Sequence, residues 1–264
     1  MRYLFILPTL LLLSCSTAQT GGPLDAAQLL TTHFGAKPTG TPLGITWKPT
    51  AQEYKHFVDL PIGTEVEQVR TTVDTILYPS PNTALVFFRT AREREEGTCW
   101  LCEDWLGLAV YTKNEQEWKA ENFTKWFAKQ GMYDLGFGLE LPEPVLMEMG
   151  QSGRVVKIIS SDGEPQMNTS THRLYRIPEM KEVMVIVTGD FMEDHDGPHG
   201  PMLQATTRAY RLVPSSKPWY DVEVFRGDES GVNWEYIEPG AVPDEYFIWS
   251  DAKNEYVSST PKKR

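Results

Sequence analysis

The pattern that most constrains the fold of this chain is a succession of short segments rich in Val, Ile, Thr, Tyr and Phe. These segments follow one another between residues 65 and 249, and turn-forming stretches separate them, such as residues 78–82 (Tyr-Pro-Ser-Pro-Asn) and 161–163 (Ser-Asp-Gly). Short β-type segments joined by turns favour antiparallel pairing. We therefore predict a mainly β fold of antiparallel sheets, arranged as a sandwich or an open barrel.

Helical spacing of apolar residues occurs in two places. Residues 24–34 have apolar positions at helical intervals, with Asp25 as the predicted N-cap and Gly35 as the predicted stop. The second helix candidate covers residues 114–130 and ends before Gly131, with a less regular pattern. We accordingly expect one or two short helices beside the sheets.

The N-terminus has the layout of a secretory signal. Arg2 precedes an apolar run over residues 3–13, which only Pro8 and Thr9 interrupt. About 20 apolar residues are needed to cross a bilayer, so this run is too short for a membrane span. We predict that residues 1–14 are a signal peptide and that the chain is exported.

The end of this segment, Leu12-Leu13-Ser14-Cys15, resembles the lipobox of bacterial lipoproteins. The resemblance implies that Cys15 is acylated and becomes the new N-terminus, so that lipid anchors the protein to a membrane. In such proteins Asp after the cysteine favours the inner membrane, whereas this chain has Ser16. The resemblance therefore implies an outer-membrane lipoprotein of the cell envelope that faces the periplasm or the exterior.

Charge narrows the classes of partner. Removal of Arg2 with the signal leaves 24 of the 25 Lys and Arg residues against 36 Asp and Glu, a formal charge of −12. Such an acidic surface disfavours nucleic acid and anionic headgroups, because both select clustered cations. We expect no nucleic-acid partner and membrane contact through the lipid. Residues 15–23 are predicted to be a flexible tether, 24–258 a single β-rich domain and 259–264 a frayed tail.

The two remaining cysteines, Cys99 and Cys102, have the Cys-x-x-Cys spacing found in thiol oxidoreductases and in some metal sites. The following Glu103 and Asp104 would raise a thiol pKa, and an apolar strand rather than a helix comes next. In an oxidising compartment an even pair is most simply a disulfide. We predict a structural disulfide, with thiol redox activity and a metal site as the alternatives.

This part of the chain also resembles a class of uncharacterised exported bacterial proteins that carry a Cys-x-x-Cys hairpin. The matching positions are Cys99, Cys102, Leu106-Gly107-Leu108-Ala109, Trp118, Gly131 and Gly136. The resemblance implies a shared architecture and no particular activity.

Side chains able to bind a metal are densest just after the β-type segment that ends at Thr188. They are Asp190, Glu193, Asp194, His195, Asp196 and His199. Carboxylates suit Ca²⁺ or Mg²⁺ and imidazoles suit Zn²⁺. The spacing matches neither an EF-hand nor His-Glu-x-x-His, because Gly197 and Pro198 prevent a helix. We expect a solvated turn and no cofactor, with a divalent-metal site at loop 190–199 as the alternative.

No nucleophile elbow or phosphate-binding Gly-rich loop is present in the sequence. Among the densest group of tryptophans, Trp100 and Trp105 are the candidate binding residues, with Trp118 and Trp126 further along the chain. We predict a lipid-anchored envelope protein of non-catalytic binding or assembly type, whose partner is an envelope protein, a peptide or a glycan. The alternatives are a metal-dependent protein or enzyme using loop 190–199, and a thiol redox protein using Cys99 and Cys102.

Overall fold

A computed structural model describes residues 19–20, 23–56, 68–92, 103–115, 117–132, 143–164, 167–194, 202–227, 237 and 239–260. This part of the chain contains two short helices, α1 (Ala26–Phe34) and α2 (Ala51–Tyr54), and is otherwise dominated by strands. The strands are β1 (Gln19–Thr20), β2 (Gly44–Trp47), β3 (Val69–Ser80), β4 (Thr83–Arg92), β5 (Glu103–Asn114), β6 (Glu117–Met132), β7 (Val145–Glu148), β8 (Arg154–Glu164), β9 (Met167–Arg176), β10 (Lys181–Asp194), β11 (Met202–Val213), β12 (Asp221–Arg226), β13 (Glu245–Ser250) and β14 (Glu255–Ser259). The predicted mainly β class is confirmed.

The strands form two mainly antiparallel sheets, one of them curved into a half-barrel. Hydrogen-bonded neighbours follow the order β14-β13-β12-β11-β10-β9-β8-β6-β5-β4-β3-β2, and β1 and β7 pair with β6 and β8. Strand β11 links the two sheets, because it pairs with β10 in one and with β12 in the other. Among the described strands, β6 and β8 are parallel, where Gly131 pairs with Ser161. No helix in the described ranges is long and apolar enough to span a membrane.

The alternation of strand directions gives the sheet two distinct ends. The turns between β3 and β4, β5 and β6, β9 and β10, and β13 and β14 lie at one end, together with β1, and we call it the β1 end. Strands β4, β6, β8 and β10 all run towards the opposite end, which we call the far end. Arg92, Glu103, Asp194 and Met202 are therefore strand termini at the far end.

Helix α1 forms where the sequence predicts a helix. The Asp25 carboxylate accepts a hydrogen bond from the Gln28 backbone N–H at 2.9 Å, which caps the first turn. Gly35 ends the helix with φ 73°, a left-handed conformation that glycine adopts without a steric penalty. Leu29 and Leu30 are buried and anchor the helix on the sheet.

The second predicted helix, over residues 114–130, is wrong, because this segment forms strand β6. Strand β6 pairs with β5 along its length, with register shifts between Leu106 and Leu108 and at two other places. Each bulge changes which face the following side chains occupy, so the apolar residues lose strict alternation. The resulting irregular spacing in the sequence resembles a helix. Aromatic residues such as Trp118 and Phe123 favour the strand that forms.

The described part of the chain has three large core clusters and one small one. The first packs α1 against the sheet through residues such as Leu30 and Phe88, and the second contains Phe87, Leu106 and Ile158. The third lies between the two sheets, where it joins β9 and β10 to β12; its members include Leu174, Ile186, Val222 and Val224. These cores fix the strands whose side chains form the sites described next.

The segment predicted as a tether includes the two residues of β1. Gln19 pairs with Trp118 and Thr20 pairs with Glu117, at the start of β6. The flexibility of residues 15–23 as a whole stays a prediction, and so do the domain boundaries.

Candidate functional site

Aromatic side chains from four parts of the chain meet near the far end of the sheet. Trp47 is the last residue of β2, Trp105 lies near the start of β5, Trp126 lies in the second half of β6, and His56 follows α2. We call these four residues the aromatic cluster. Strand register brings Trp47 to the far end, because Trp47 pairs with Val69, the first residue of β3.

The rings of the aromatic cluster contact one another closely. His56 stacks on Trp126, with ring centroids 4.9 Å apart and an interplanar angle of 20°. Trp105 meets both rings edge-on, at 5.0 Å from His56 and 6.1 Å from Trp126. The Trp47 centroid lies 6.2 Å from that of Trp126. Offset and edge-on contacts of this kind are favourable for aromatic pairs, so each ring helps to fix its neighbours.

Two indole N–H groups of the cluster donate hydrogen bonds to other residues of the protein. Trp105 Nε1 donates to the His56 carbonyl oxygen at 2.6 Å. Trp47 Nε1 donates to Thr71 Oγ1 at 2.8 Å, and this hydroxyl is also 2.8 Å from Thr90 Oγ1. These bonds orient the rings, and what the two indoles can offer to a ligand is their ring surface.

A charged pair lies beside the rings. Lys125 Nζ is 4.4 Å from the centre of the Trp47 ring and 3.0 Å from Glu53 Oε1. Glu53 also caps α2, because its carboxylate accepts from the Thr50 backbone N–H while Thr50 Oγ1 accepts from the Glu53 N–H. Burial alone would raise the Glu53 pKa, but the hydrogen bonds from Thr50 and Lys125 outweigh it, and the pKa is lowered. The carboxylate is therefore held in its charged form next to the ammonium.

The exposure of the cluster sets it apart from the cores. Among the described residues it packs on two buried side chains, Tyr54 and Val69, whereas its three indoles are each only partly buried. In each of the three larger clusters, buried residues outnumber the partly buried ones. Large aromatic side chains that stay partly exposed on a rigid sheet have the character of a contact surface.

A second group of polar residues, buried or partly buried, lies on five neighbouring strands, β3, β4, β5, β6 and β8, one residue on each. We call it the polar row: Asp74, Arg89, Asp104, Gln130 and Ser160. Arg89 Nε lies 2.6 Å from Asp74 Oδ1, and Arg89 Nη1 lies 3.7 Å from Asp104 Oδ2. Gln130 and Ser160 are neighbours, because the residues after them, Gly131 and Ser161, pair in parallel register.

Burial gives the polar row its electrostatic importance. The Asp104 side chain is 1% exposed, and Gln130 and Ser160 are also buried. Asp74 and Asp104 share the Arg89 guanidinium. Charges in such a place need partners, because the interior solvates ions poorly. The row accordingly reads as a structural ion-pair network.

A shallow groove of about 530 Å³ lies at the β1 end, against the turn between β3 and β4. Its lining residues are Pro23, Tyr78, Pro79, Ser80, Pro81, Lys113 and Trp118. The Tyr78 side chain is 44% exposed and its ring centre is 5.9 Å from that of Trp118. Lys113 Nζ lies 5.6 Å from the centre of the Trp118 ring.

Of the predicted site residues, Trp105 lies in the aromatic cluster. Predicted residues outside the described ranges are Cys15, Cys99, Trp100, Cys102, His195, Asp196 and His199. The lipid anchor, the disulfide and the metal site stay predictions. In the described ranges, no group of three or more His, Cys, Asp or Glu side chains is placed to hold a metal ion.

The structure corrects one boundary at the predicted metal loop. Asp190, Glu193 and Asp194 do not belong to a turn, because β10 continues to Asp194. Their backbone partners on β11 are Thr206, Leu203 and Met202. Pairing with β11 extends the strand beyond Thr188, where the β-type sequence pattern ends.

Sequence reasoning missed Trp47, His56 and the pair Lys125–Glu53. One local signal was available, since Thr50-x-x-Glu53 has the spacing of a capping box and marks the start of a helix. It predicts α2 and not the contact with Lys125. The polar row had no signal beyond single polar residues within apolar strands.

No protein-family model, curated protein or solved structure matches this chain. The function is therefore argued from the residues alone. The two features that carry the argument are the aromatic cluster at the far end and the N-terminal segment that leads to β1.

Proposed function

We propose that this chain is an exported, lipid-anchored protein of the cell envelope that binds a partner through the aromatic cluster and catalyses no reaction of its own. The single observation that carries the binding role is that this cluster consists mainly of partly exposed indoles, whereas the other three are mainly buried. The proposed location in the cell envelope rests on the signal-like residues 1–14 and on Cys15.

The chemistry of the cluster favours a glycan as the partner. The ring surfaces of Trp105 and Trp126 offer flat apolar area at little entropic cost, since neighbouring rings already hold them. Lys125 and Glu53 add a donor and an acceptor at the edge of that area. A sugar has apolar C–H faces and a rim of hydroxyls, so it can contact ring surface and ion pair together.

The position of the cluster agrees with a role in the envelope. The chain leaves the predicted anchor at Cys15 and reaches β1 at the β1 end, whereas the cluster lies towards the far end. A ligand outside the anchoring membrane can approach the far end without passing the bilayer.

The test is a titration of the soluble form that starts at Ser16 with an N-acetylglucosamine tetrasaccharide, followed by tryptophan fluorescence and calorimetry. We expect Trp126→Leu to weaken binding about tenfold, or about 1.4 kcal/mol, because it removes the ring that contacts the other three cluster members.

The matched control is Trp249→Leu. Trp249 stacks on Trp219 at 4.1 Å in the second sheet, so this variant also removes one indole from an aromatic stack. Equal weakening by both variants, or no binding of the tetrasaccharide by the unaltered protein, would contradict the proposal. A short aromatic peptide is titrated in parallel, and binding of the peptide alone would replace glycan by peptide as the partner.

A further inference from the structure

The pairing of β1 limits how far the predicted anchor can lie from the sheet. Gln19 pairs with Trp118 and Thr20 with Glu117, directly after the turn between β5 and β6. Cys15 precedes Gln19 by four residues. An extended chain advances at most about 3.6 Å per residue, so the two Cα atoms are at most about 14 Å apart. A lipid on Cys15 therefore requires the β1 end to lie close to the bilayer.

The groove at the same end has the side chains of a membrane interface. Tyr78 is exposed at its rim, and Trp118, which is itself buried in the first core cluster, forms part of its wall. Among the described residues that line the groove, Lys113 is the charged one. Trp and Tyr are enriched at the level of lipid headgroups, where lysine can direct its ammonium to phosphate while its stem covers apolar surface.

Acidic residues next to the groove limit the depth of contact. Glu115 forms the turn between β5 and β6 with φ 55°, and both Glu115 and Glu117 are exposed. Carboxylates are costly within hydrocarbon, so this surface can lie against headgroups without entering the acyl region.

We propose that the β1 end rests on the bilayer surface, with Tyr78 and Lys113 in contact with lipid headgroups and the aromatic cluster directed away from the membrane. This orientation rests on the part of the proposed function that places a lipid on Cys15. Trp126 is displaced from Glu117 by about 30 Å along β6 at the usual rise of a strand. The headgroup contact and the binding surface are therefore at separate ends of the molecule.

The experiment uses the full lipidated protein in vesicles of phosphatidylethanolamine and phosphatidylglycerol. A diazirine-bearing amino acid replaces Tyr78, Lys113 or Val242 in three separate preparations, and crosslinks to lipid are counted after irradiation. Val242 is the control, because it is 80% exposed and lies between β12 and β13 at the far end. We expect crosslinking at positions 78 and 113 to exceed that at position 242 several-fold.

The outcomes separate the orientation from the anchor. If vesicle-attached protein crosslinks to lipid equally from all three positions, the proposed orientation is refuted, whereas the proposed lipid on Cys15 is not. If the protein fails to float with the vesicles, the proposed lipid on Cys15 is refuted. The proposed orientation is then refuted as well, because it depends on that lipid. A Cys15→Ala variant should lose both flotation and crosslinking, and crosslinking that persists in this variant would show that lipid on Cys15 does not set the orientation.

Discussion

Two partly buried histidines should make this protein lose stability in mild acid. His33, in the last turn of α1, stacks on Phe123 at 4.2 Å, and its Nε2 lies 2.7 Å from the Tyr111 hydroxyl. Burial lowers the pKa of His33 from 6.5 to about 4. On β9, burial and then the charge of Lys157 lower the pKa of His172 to about 4 as well, and its Nδ1 lies 3.2 Å from Tyr210 Oη. Both rings are therefore neutral in the folded protein over a wide pH range.

The sign and size of the effect follow from proton linkage. Well above pH 6.5 both histidines are neutral in the folded and the unfolded chain, so they contribute no pH dependence. Between pH 6.5 and pH 4 the unfolded chain binds protons that the folded protein does not, and stability falls as pH falls. At pH 5 the pKa difference corresponds to at most about 2 kcal/mol per histidine, and residual exposure of the rings reduces this to about 1–2 kcal/mol.

The assay is urea unfolding at pH 7, 6 and 5, followed by tryptophan fluorescence. We expect the free energy of unfolding to fall by about 2–4 kcal/mol between pH 7 and pH 5. His33→Gln and His172→Gln should each remove about half of this fall, whatever effect each substitution has on the free energy of unfolding at pH 7. Burial raises the pKa of Tyr111 to about 12, so its hydroxyl stays protonated throughout. A stability that is flat over this range, or a fall that neither variant reduces, would refute the reasoning.

Two further predictions concern buried contacts. Arg89→Leu should lower the free energy of unfolding by about 3–5 kcal/mol at pH 7 in urea unfolding, because Asp74 and Asp104 lose the cation that they share. The same change at Arg173, which forms a partly exposed pair with Glu182, should cost under about 1 kcal/mol, and equal costs would contradict the buried network. Gly153→Ala should lower the Tm and alter near-UV circular dichroism, because a Cβ there would lie 2.6 Å from Trp219, whose ring the stacking on Trp249 restrains. The neighbouring exposed Ser152→Ala is its control, and an unchanged Tm in Gly153→Ala would contradict this packing.

Elements set by local chemistry could be predicted from the sequence. Helix α1 has its cap at Asp25 and its stop at Gly35, and both act within one turn. The β class followed from composition and turns. Strand β6 could not be predicted, because bulges in its pairing with β5 disturb the alternation that identifies a strand.

The candidate site depends on pairing between distant parts of the chain. Trp105 was identified as a binding residue, but its partners come from β2, β6 and the segment after α2. Register decides that Trp47 reaches the same end as Trp105, because Trp47 pairs with Val69, Val69 with Arg92, and the neighbouring Thr90 with Trp105. No local pattern encodes register across three strands. The polar row likewise depends on pairing, because it takes one residue from each of the strands β3, β4, β5, β6 and β8.

Two chain segments carry the redox and the metal hypotheses. The topology places the residues on either side of both segments at one end of the sheet. Arg92 and Glu103 flank the segment with Cys99 and Cys102, and Asp194 and Met202 flank the segment with His195 and His199. All four flanking residues are strand termini at the far end, where Trp47 and Trp105 also lie. If lipid holds the β1 end at the membrane, a partner that reaches the aromatic cluster approaches the side to which both segments attach. Redox or metal chemistry in either segment would then act on the same side of the molecule as partner binding. The thiol state and the effect of added metal should therefore be measured on the soluble form with its partner present.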